Sequence, residues 1–128
     1  MREPAGPKAW VVAGPLAARL DGTRVRLQDL DIRLTASQAL VLVALMRRRG
    51  HLARHADIYK EVFGRRLPPR SRAIDLHIAR IRAALGPHAA SIITVGRVGY
   101  RLEADTFLET PRSRDGYRIP TRNKPRCG

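Results

Sequence analysis

The sequence predicts an α+β fold: a small N-terminal antiparallel sheet, three helices and a C-terminal β-hairpin. Three observations predict it. Residues 10–34 come in short apolar bursts, WVVAG, PLAARL, RVRLQ and DIRL, separated by turn formers. At Thr35 the pattern changes to helical periodicity, punctuated by Gly50, Gly64 and Gly86. Residues 91–103, SIITVGRVGYRLE, return to two β-rich runs around Gly96-Arg97-Val98-Gly99.

The bursts read as short antiparallel strands, with Asp21-Gly22 as a turn between two of them. Thr35 and Gln38 form a T-x-x-Q capping box, each side chain satisfying a backbone donor at the start of the first helix. The following ALVLVALM is apolar nearly all round, which suits a helix buried on most sides. Arg47-Arg48-Arg49 closes it with cations that complement the helix dipole, and Gly50 suits the position after the cap. Residues 54–63, RHADIYKEVF, read as a second short helix with Ile58 and Val62 inward. The stiff, basic connection GRRLPPR leads to a third helix over 71–85, with Ser71 as its N-cap and Gly86-Pro87 as its stop.

The chain has 128 residues, enough for one domain with a modest core. The expected organisation is a flexible N-terminus over 1–9, a domain over 10–103 and a basic, disordered tail over 104–128. No apolar run is long enough to span a membrane, and MREPAGPKAWVVAG does not read as a secretory signal. The single cysteine, Cys127, forms no internal disulfide, which makes a reducing cytoplasm the expected compartment.

Charge narrows the function. The net charge is +14, and 22 of the 25 basic residues are arginine, whose planar fork of donors matches phosphates and guanine edges. Residues 35–103 carry +9 of that charge, against +2 before them and +3 after them. A small basic domain with its charge in the structured part points to nucleic acid. A membrane surface is disfavoured, since no segment pairs a basic face with Trp or Phe anchors.

The third helix, SRAIDLHIARIRAALG, carries the sharpest signal. At 100° per residue, Ile74, Ile78, Ile81 and Leu85 fall within about 40° of one direction and form a core stripe. The opposite side holds Arg72, Leu76, Ala79, Arg80 and Ala83, with Ala73 at its edge. Asp75 and Arg82 flank one side of the stripe, and His77 and Ala84 the other. A solvated face would mix Glu, Lys and Gln. Here alanines allow close approach, arginines reach guanine or phosphate, and Leu76 suits a thymine methyl, so the face fits a major groove. The alternative is a helix packed on a partner protein, or simply an Ala-rich exposed helix. Three helices followed by a hairpin with Arg97 at its tip give a winged helix-turn-helix, with residues 92–102 as the wing and Arg97 suited to a narrow minor groove.

These residues resemble a known family. LTASQALVLVALMRRRGHLARHADIYKEVFG, SRAIDLHIARIRAALG and IITVGRVGYRL are similar, in order and spacing, to the winged-helix effector domain of OmpR/PhoB-type response regulators over roughly residues 10–103. The carrying motifs are R-x-(I/V)-D-x-H-I-x-R-(I/L)-R-x-x-L and T-V-x-x-x-G-Y-R-L. The resemblance implies sequence-specific binding of double-stranded DNA, often as head-to-tail pairs on direct repeats, and regulation of transcription. It implies that Arg72, Leu76, His77, Arg80 and Arg82 line the recognition helix, that Thr94 and Tyr100 contact phosphates, and that the wing supplies a minor-groove arginine. Tyr100 and His77 also have plainer readings, as core and as a packing residue.

The chain departs from the family pattern in places. Gly96-Arg97 stands where Arg-Gly is usual, Ala73 where Thr or Val is common, Ala79 where a further base is common, and Phe63 where Trp is usual. The loop after the second helix, which touches RNA polymerase in relatives, is the basic GRRLPPR here and suits DNA phosphates. Relatives carry a phosphoacceptor receiver domain in front, whereas only 34 residues precede the first helix. The expectation is therefore a DNA-binding unit without a receiver, standing alone or cut from a longer chain.

No enzyme is expected. His51 and His55 are spaced i, i+4 without the Glu of H-E-x-x-H or a third ligand, Cys127 has no adjacent base, and no nucleotide-binding glycine motif occurs. No cofactor, metal or small-molecule ligand is expected. Two other functions compete: a non-specific basic DNA- or RNA-binding protein, and a protein-interaction module derived from a winged helix. Few aromatics are free to stack on bases, which disfavours RNA.

Overall fold

The computed structural model describes residues 9–109. Strands β1 (Trp10–Ala13), β2 (Leu16–Arg19), β3 (Val25–Leu27) and β4 (Leu30–Asp31) form an antiparallel meander, with Val12 opposite Ala17 and Ala18 opposite Val25. The β2–β3 turn is tied by Asp21, whose carboxylate accepts from the Thr23 backbone (3.0 Å) and hydroxyl (2.6 Å). Gly22 adopts φ +78°, and a Cβ there would stand 2.9 Å from Leu40 of the next helix.

Helix α1 (Ala36–Arg47) starts on the expected capping box: the Gln38 amide donates to Thr35 Oγ1 at 3.2 Å, and the Thr35 amide to Gln38 Oε1 at 3.1 Å. Its residues 41–46 are all buried, because the sheet lies on one side and the other two helices on the other. The arginine triplet at its end is largely spoken for. Arg47 pairs with Glu109 (2.9 Å), and Arg48 pairs with Glu61 (2.8 Å) while donating to the Ala44 carbonyl. The helix ends earlier than expected: Arg48 is the cap, and both Arg49 (φ +53°) and Gly50 (φ +90°) take the left-handed conformation.

Strand β5 (Ala53–Arg54) leads into α2 (His55–Phe63), which stops at Gly64 in the left-handed region. Helix α3 (Ala73–Leu85) lays Ile74, Ile78, Ile81 and Leu85 into the core, each at most 1% exposed. Its start corrects the sequence reading. Arg72, not Ser71, holds the N-cap position, and Ser71 Oγ accepts from the Ala73 amide (3.2 Å). A 3-10 turn, Gly86–Ser91, joins α3 to β6 (Ile92–Val95), and β7 (Gly99–Leu102) returns as the wing hairpin.

The wing is more than a hairpin. Strand β5 adds to it, giving a three-stranded sheet in the order β5-β7-β6. Ala53 faces Tyr100 and Arg54 faces Gly99. The approach is so close that a Cβ at Gly99 would fall 2.0 Å from the Ala53 carbonyl oxygen, so that position admits only glycine.

The expected disordered tail from residue 104 is corrected in its first part. Strand β8 (Phe107–Glu109) pairs antiparallel with β1, Leu108 opposite Val12, and completes a five-stranded sheet β4-β3-β2-β1-β8. The physical reason is that β1 has a free edge and Phe107 packs against the core. The ordered unit thus runs to Glu109. At the other end Ala9, placed in the expected flexible segment, is buried and its carbonyl accepts from the Leu20 amide. Residues 1–8 and 110–128, with Cys127 and the rest of the expected tail, lie outside the described residues.

Candidate nucleic-acid interface

The burial of one stripe of α3 fixes what the other side shows. Arg72, Leu76, Ala79, Arg80 and Ala83 are all exposed, and Leu76, at 58%, is a large apolar side chain left in solvent. Helix geometry places these on one face, about three turns long from Arg72 to Ala83. Along one border of this face an open groove separates the start of α1 from α3, with Arg33 and Arg80 among its lining residues. Arg97 is exposed in the wing turn, where Gly96 takes φ +51°.

Five other candidates are held by the protein itself. Ala73 is half-buried against the core. His77 donates Nδ1–H to the Ala73 carbonyl at 2.7 Å and sets its ring edge-on to Phe63 at 5.7 Å, which leaves Nε2 as its available group. Arg82 turns from the groove face to the wing: Nη2 donates to the Ile92 carbonyl (2.7 Å) and to Thr94 Oγ1 (3.0 Å), and its guanidinium lies 5.7 Å from the Tyr100 ring centroid. Thr94 is exposed on β6 and oriented by that bond. Tyr100 is only 6% exposed and donates its hydroxyl to Asp75.

Asp75 is the residue that the sequence reading passed over. It is the one acid of α3, and it joins three elements. Oδ1 accepts from Tyr100 of the wing and meets His55 Nε2 of α2 at 3.0 Å, while Oδ2 pairs with Arg72 Nε at 3.3 Å. Burial pushes its carboxyl up, but the Tyr100 hydroxyl, the His55 ring and the Arg72 charge together outweigh burial and hold it below the usual carboxylate value. The same contact acts oppositely on Tyr100. Burial, then the bond to Asp75 and its charge, push the phenol up to about 12. The lone acid on a basic helix, beside the core stripe, was the available signal for this joint. His55 was weighed only with His51 as a metal pair. His51 instead lies 2.8 Å from the Arg48 carbonyl, and no cluster of three metal-binding side chains occurs among the described residues.

A basic, alanine-spaced helix face beside a wing, both locked to one core, is the arrangement on which comparison with known proteins bears. Residues 29–102 match the family described as transcriptional regulatory protein, C terminal. The chain belongs to this family. It is a winged-helix effector domain of the OmpR/PhoB type.

The effector domain is 30% identical over 75 residues to the atypical response regulator protein ChxR of Chlamydia trachomatis, a match covering 59% of this chain and 33% of that protein. It therefore spans about a third of that relative's length. Among solved structures, its fold is similar to the DNA-binding domain of CpxR from E. coli (TM-score 0.66, 21% identity, 81% of this chain and all of that one). It is also similar to the RstA DNA-binding domain of Klebsiella pneumoniae, solved in complex with RstA box (TM-score 0.64, 22% identity, 73% and 95%).

Proposed function

We propose that this effector domain binds double-stranded DNA sequence-specifically and regulates transcription, with residues 71–85 in the major groove and the wing at the minor groove. The observation that carries this is the exposed face of α3, where Arg72, Leu76 and Arg80 stand clear of the core between alanines that let the helix approach a surface. The placement of Arg97 at the wing tip supports a minor-groove contact. His77 Nε2, Thr94 and Ala73 border the same face. Arg82 and Tyr100 serve the interface by setting the wing against α3, and the family position they occupy is met here by a structural contact. The complex of RstA with its box supports duplex DNA as the ligand class.

In this reading the protein works in the cytoplasm, two copies bind head to tail on a direct repeat, and the basic loop 64–70 is the part that meets DNA phosphates or RNA polymerase. Selection of sites from a pool of random duplexes tests the whole. The expected result is an enriched motif in two equal half-sites. Arg80→Ala is expected to weaken binding to the selected site by about 1–3 kcal/mol and to relax preference at one base pair. Equal affinity for selected and random duplexes would sink sequence specificity and leave the non-specific binder.

A further inference from the structure

His55 stands at the first position of α2, where three elements meet, and both of its ring nitrogens face oxygen. Nδ1 lies 3.1 Å from the backbone carbonyl of Val98, in the wing turn. Nε2 lies 3.0 Å from Asp75 Oδ1, on α3. A carbonyl only accepts, so Nδ1 carries a proton. Asp75 Oδ1 already accepts from the Tyr100 hydroxyl, and its carboxyl is held below the usual carboxylate value, so it too is an acceptor at neutral pH. A hydrogen bond from Nε2 to that carboxylate requires a proton there as well. A ring that donates from both nitrogens is an imidazolium.

The neutral ring has only one N–H. Deprotonation either releases the wing carbonyl or turns a lone pair towards a carboxylate. The groups around the ring define the balance. From α3 come Asp75 and, on its other oxygen, Arg72. From β7 comes Tyr100, whose ring meets the imidazole edge-on at 5.4 Å and carries Arg82 5.7 Å from its own centroid. The wing turn brings Arg97, exposed, next to the Val98 carbonyl. On its own side Arg54 precedes it and Asp57 shares the first turn of α2, whose positive dipole end opposes the charge. Among the described residues, Asp75 is the only anion bonded to it.

We infer that His55 is a positioning residue for DNA binding, a protonated clasp that holds the wing turn against the recognition helix and makes affinity for DNA depend on pH. The wing tip and α3 must engage adjacent grooves together, and His55 sets the distance between them. The effect on affinity rests on the DNA-binding reading above; the clasp itself does not.

Two measurements on the full chain separate these. The first needs no DNA. Long-range proton–nitrogen spectra of the histidine rings, followed from pH 5.5 to 8.5, are expected to show His55 protonated on both nitrogens at the acid end. The protection of the Val98 and Gly99 amides, taken relative to intrinsic exchange at each pH, should fall as that second proton leaves. A His55 ring that carries a single proton throughout this range overturns the clasp.

The second measures binding of a labelled duplex from the site selection, at constant ionic strength. Affinity is expected to fall on the order of tenfold from pH 6 to pH 8, the size of one charge-assisted hydrogen bond. H55R, charged at every pH, should bind tightly with a flat profile, and H55Q should bind weakly with a flat profile. H77Q, which removes the histidine of the groove face, should keep the fall. A fall that persists in H55R and H55Q and vanishes in H77Q overturns the role assigned to His55. Absence of duplex binding at every pH overturns the DNA reading and the pH-dependent affinity with it, while the ring spectra still decide the clasp.

Discussion

Arg82 of the recognition helix donates through Nη2 to the carbonyl of Ile92 at 2.7 Å, tying the helix to the first strand of the wing. Ile92 is itself buried, so the wing is anchored at its root by this contact and near its turn by the Asp75–His55–Tyr100 cluster. The helix and the wing are thereby one body.

Removing the root contact should be felt in stability before specificity. Arg82→Ala leaves the Ile92 carbonyl without this donor and is expected to cost about 1–2 kcal/mol, lowering the melting temperature by roughly 5–15 °C for a domain of this size. Calorimetry checks it. A melting temperature within a degree of the parent chain would show that the bond contributes nothing.

The Tyr100 hydroxyl gives a second test, on the alkaline side. Its folded value, about 12, is raised above the ordinary 10.0, so the neutral phenol stabilises the fold fully below pH 10, and that contribution is lost as pH rises from 10 to 12. Tyr100→Phe should cost about 1 kcal/mol at neutral pH and flatten the loss of stability above pH 10. Urea unfolding of both chains between pH 7 and 11 isolates Tyr100 from the other tyrosines. Parallel curves would refute the contact.

Asp75 works in the opposite pH direction. Its folded value is lowered, so its ionised form contributes stability above the ordinary carboxylate value, and that contribution is lost as pH falls through the folded one. Asp75→Asn is expected to destabilise the domain at pH 7 and to remove part of its acid sensitivity below pH 4. Fluorescence of Trp10 during acid titration follows both chains; an equal acid midpoint in the variant would count against it.

Gly99→Ala should be among the most damaging small changes in the domain. The added methyl meets the Ala53 carbonyl at 2.0 Å, so β5 and β7 must part, at about 3 kcal/mol or more. Amide exchange should show β5 and the wing opening before the core helices do. Protection unchanged in the wing would mean that the strands shift without cost.

Arg97→Ala should weaken DNA binding evenly across sequences if its contact is electrostatic, reducing the salt slope of log affinity by about one. An unchanged slope would remove Arg97 from the interface.

The helical part of the fold was legible because its signals are local. The capping box at Thr35, the isoleucine stripe of α3 and the left-handed glycine after α2 each lie within a few residues of what they govern. Strands β5 and β8 were not legible. Each is two or three residues long, and its pairing is decided by a partner far along the chain. The candidate site divides in the same way. The outward face of α3 follows from periodicity, but Arg82 and Tyr100 have chemistry suited to phosphate as well as to Ile92 and Asp75, and only the fold shows which partner is within reach. His55 was hidden for a related reason: the sequence set it beside His51, whereas the fold sets it beside Asp75 and Val98.

The pairing of β8 with β1 has a consequence for how this domain is carried. Val11 lies opposite Glu109, so the described chain arrives and departs side by side on neighbouring strands, in a different sheet from the wing. A short bridge between the two would close the backbone into a ring, and new ends could be cut in an exposed loop such as 65–70. By the same geometry the whole unit can be spliced into a surface loop of a host protein through a single narrow stalk.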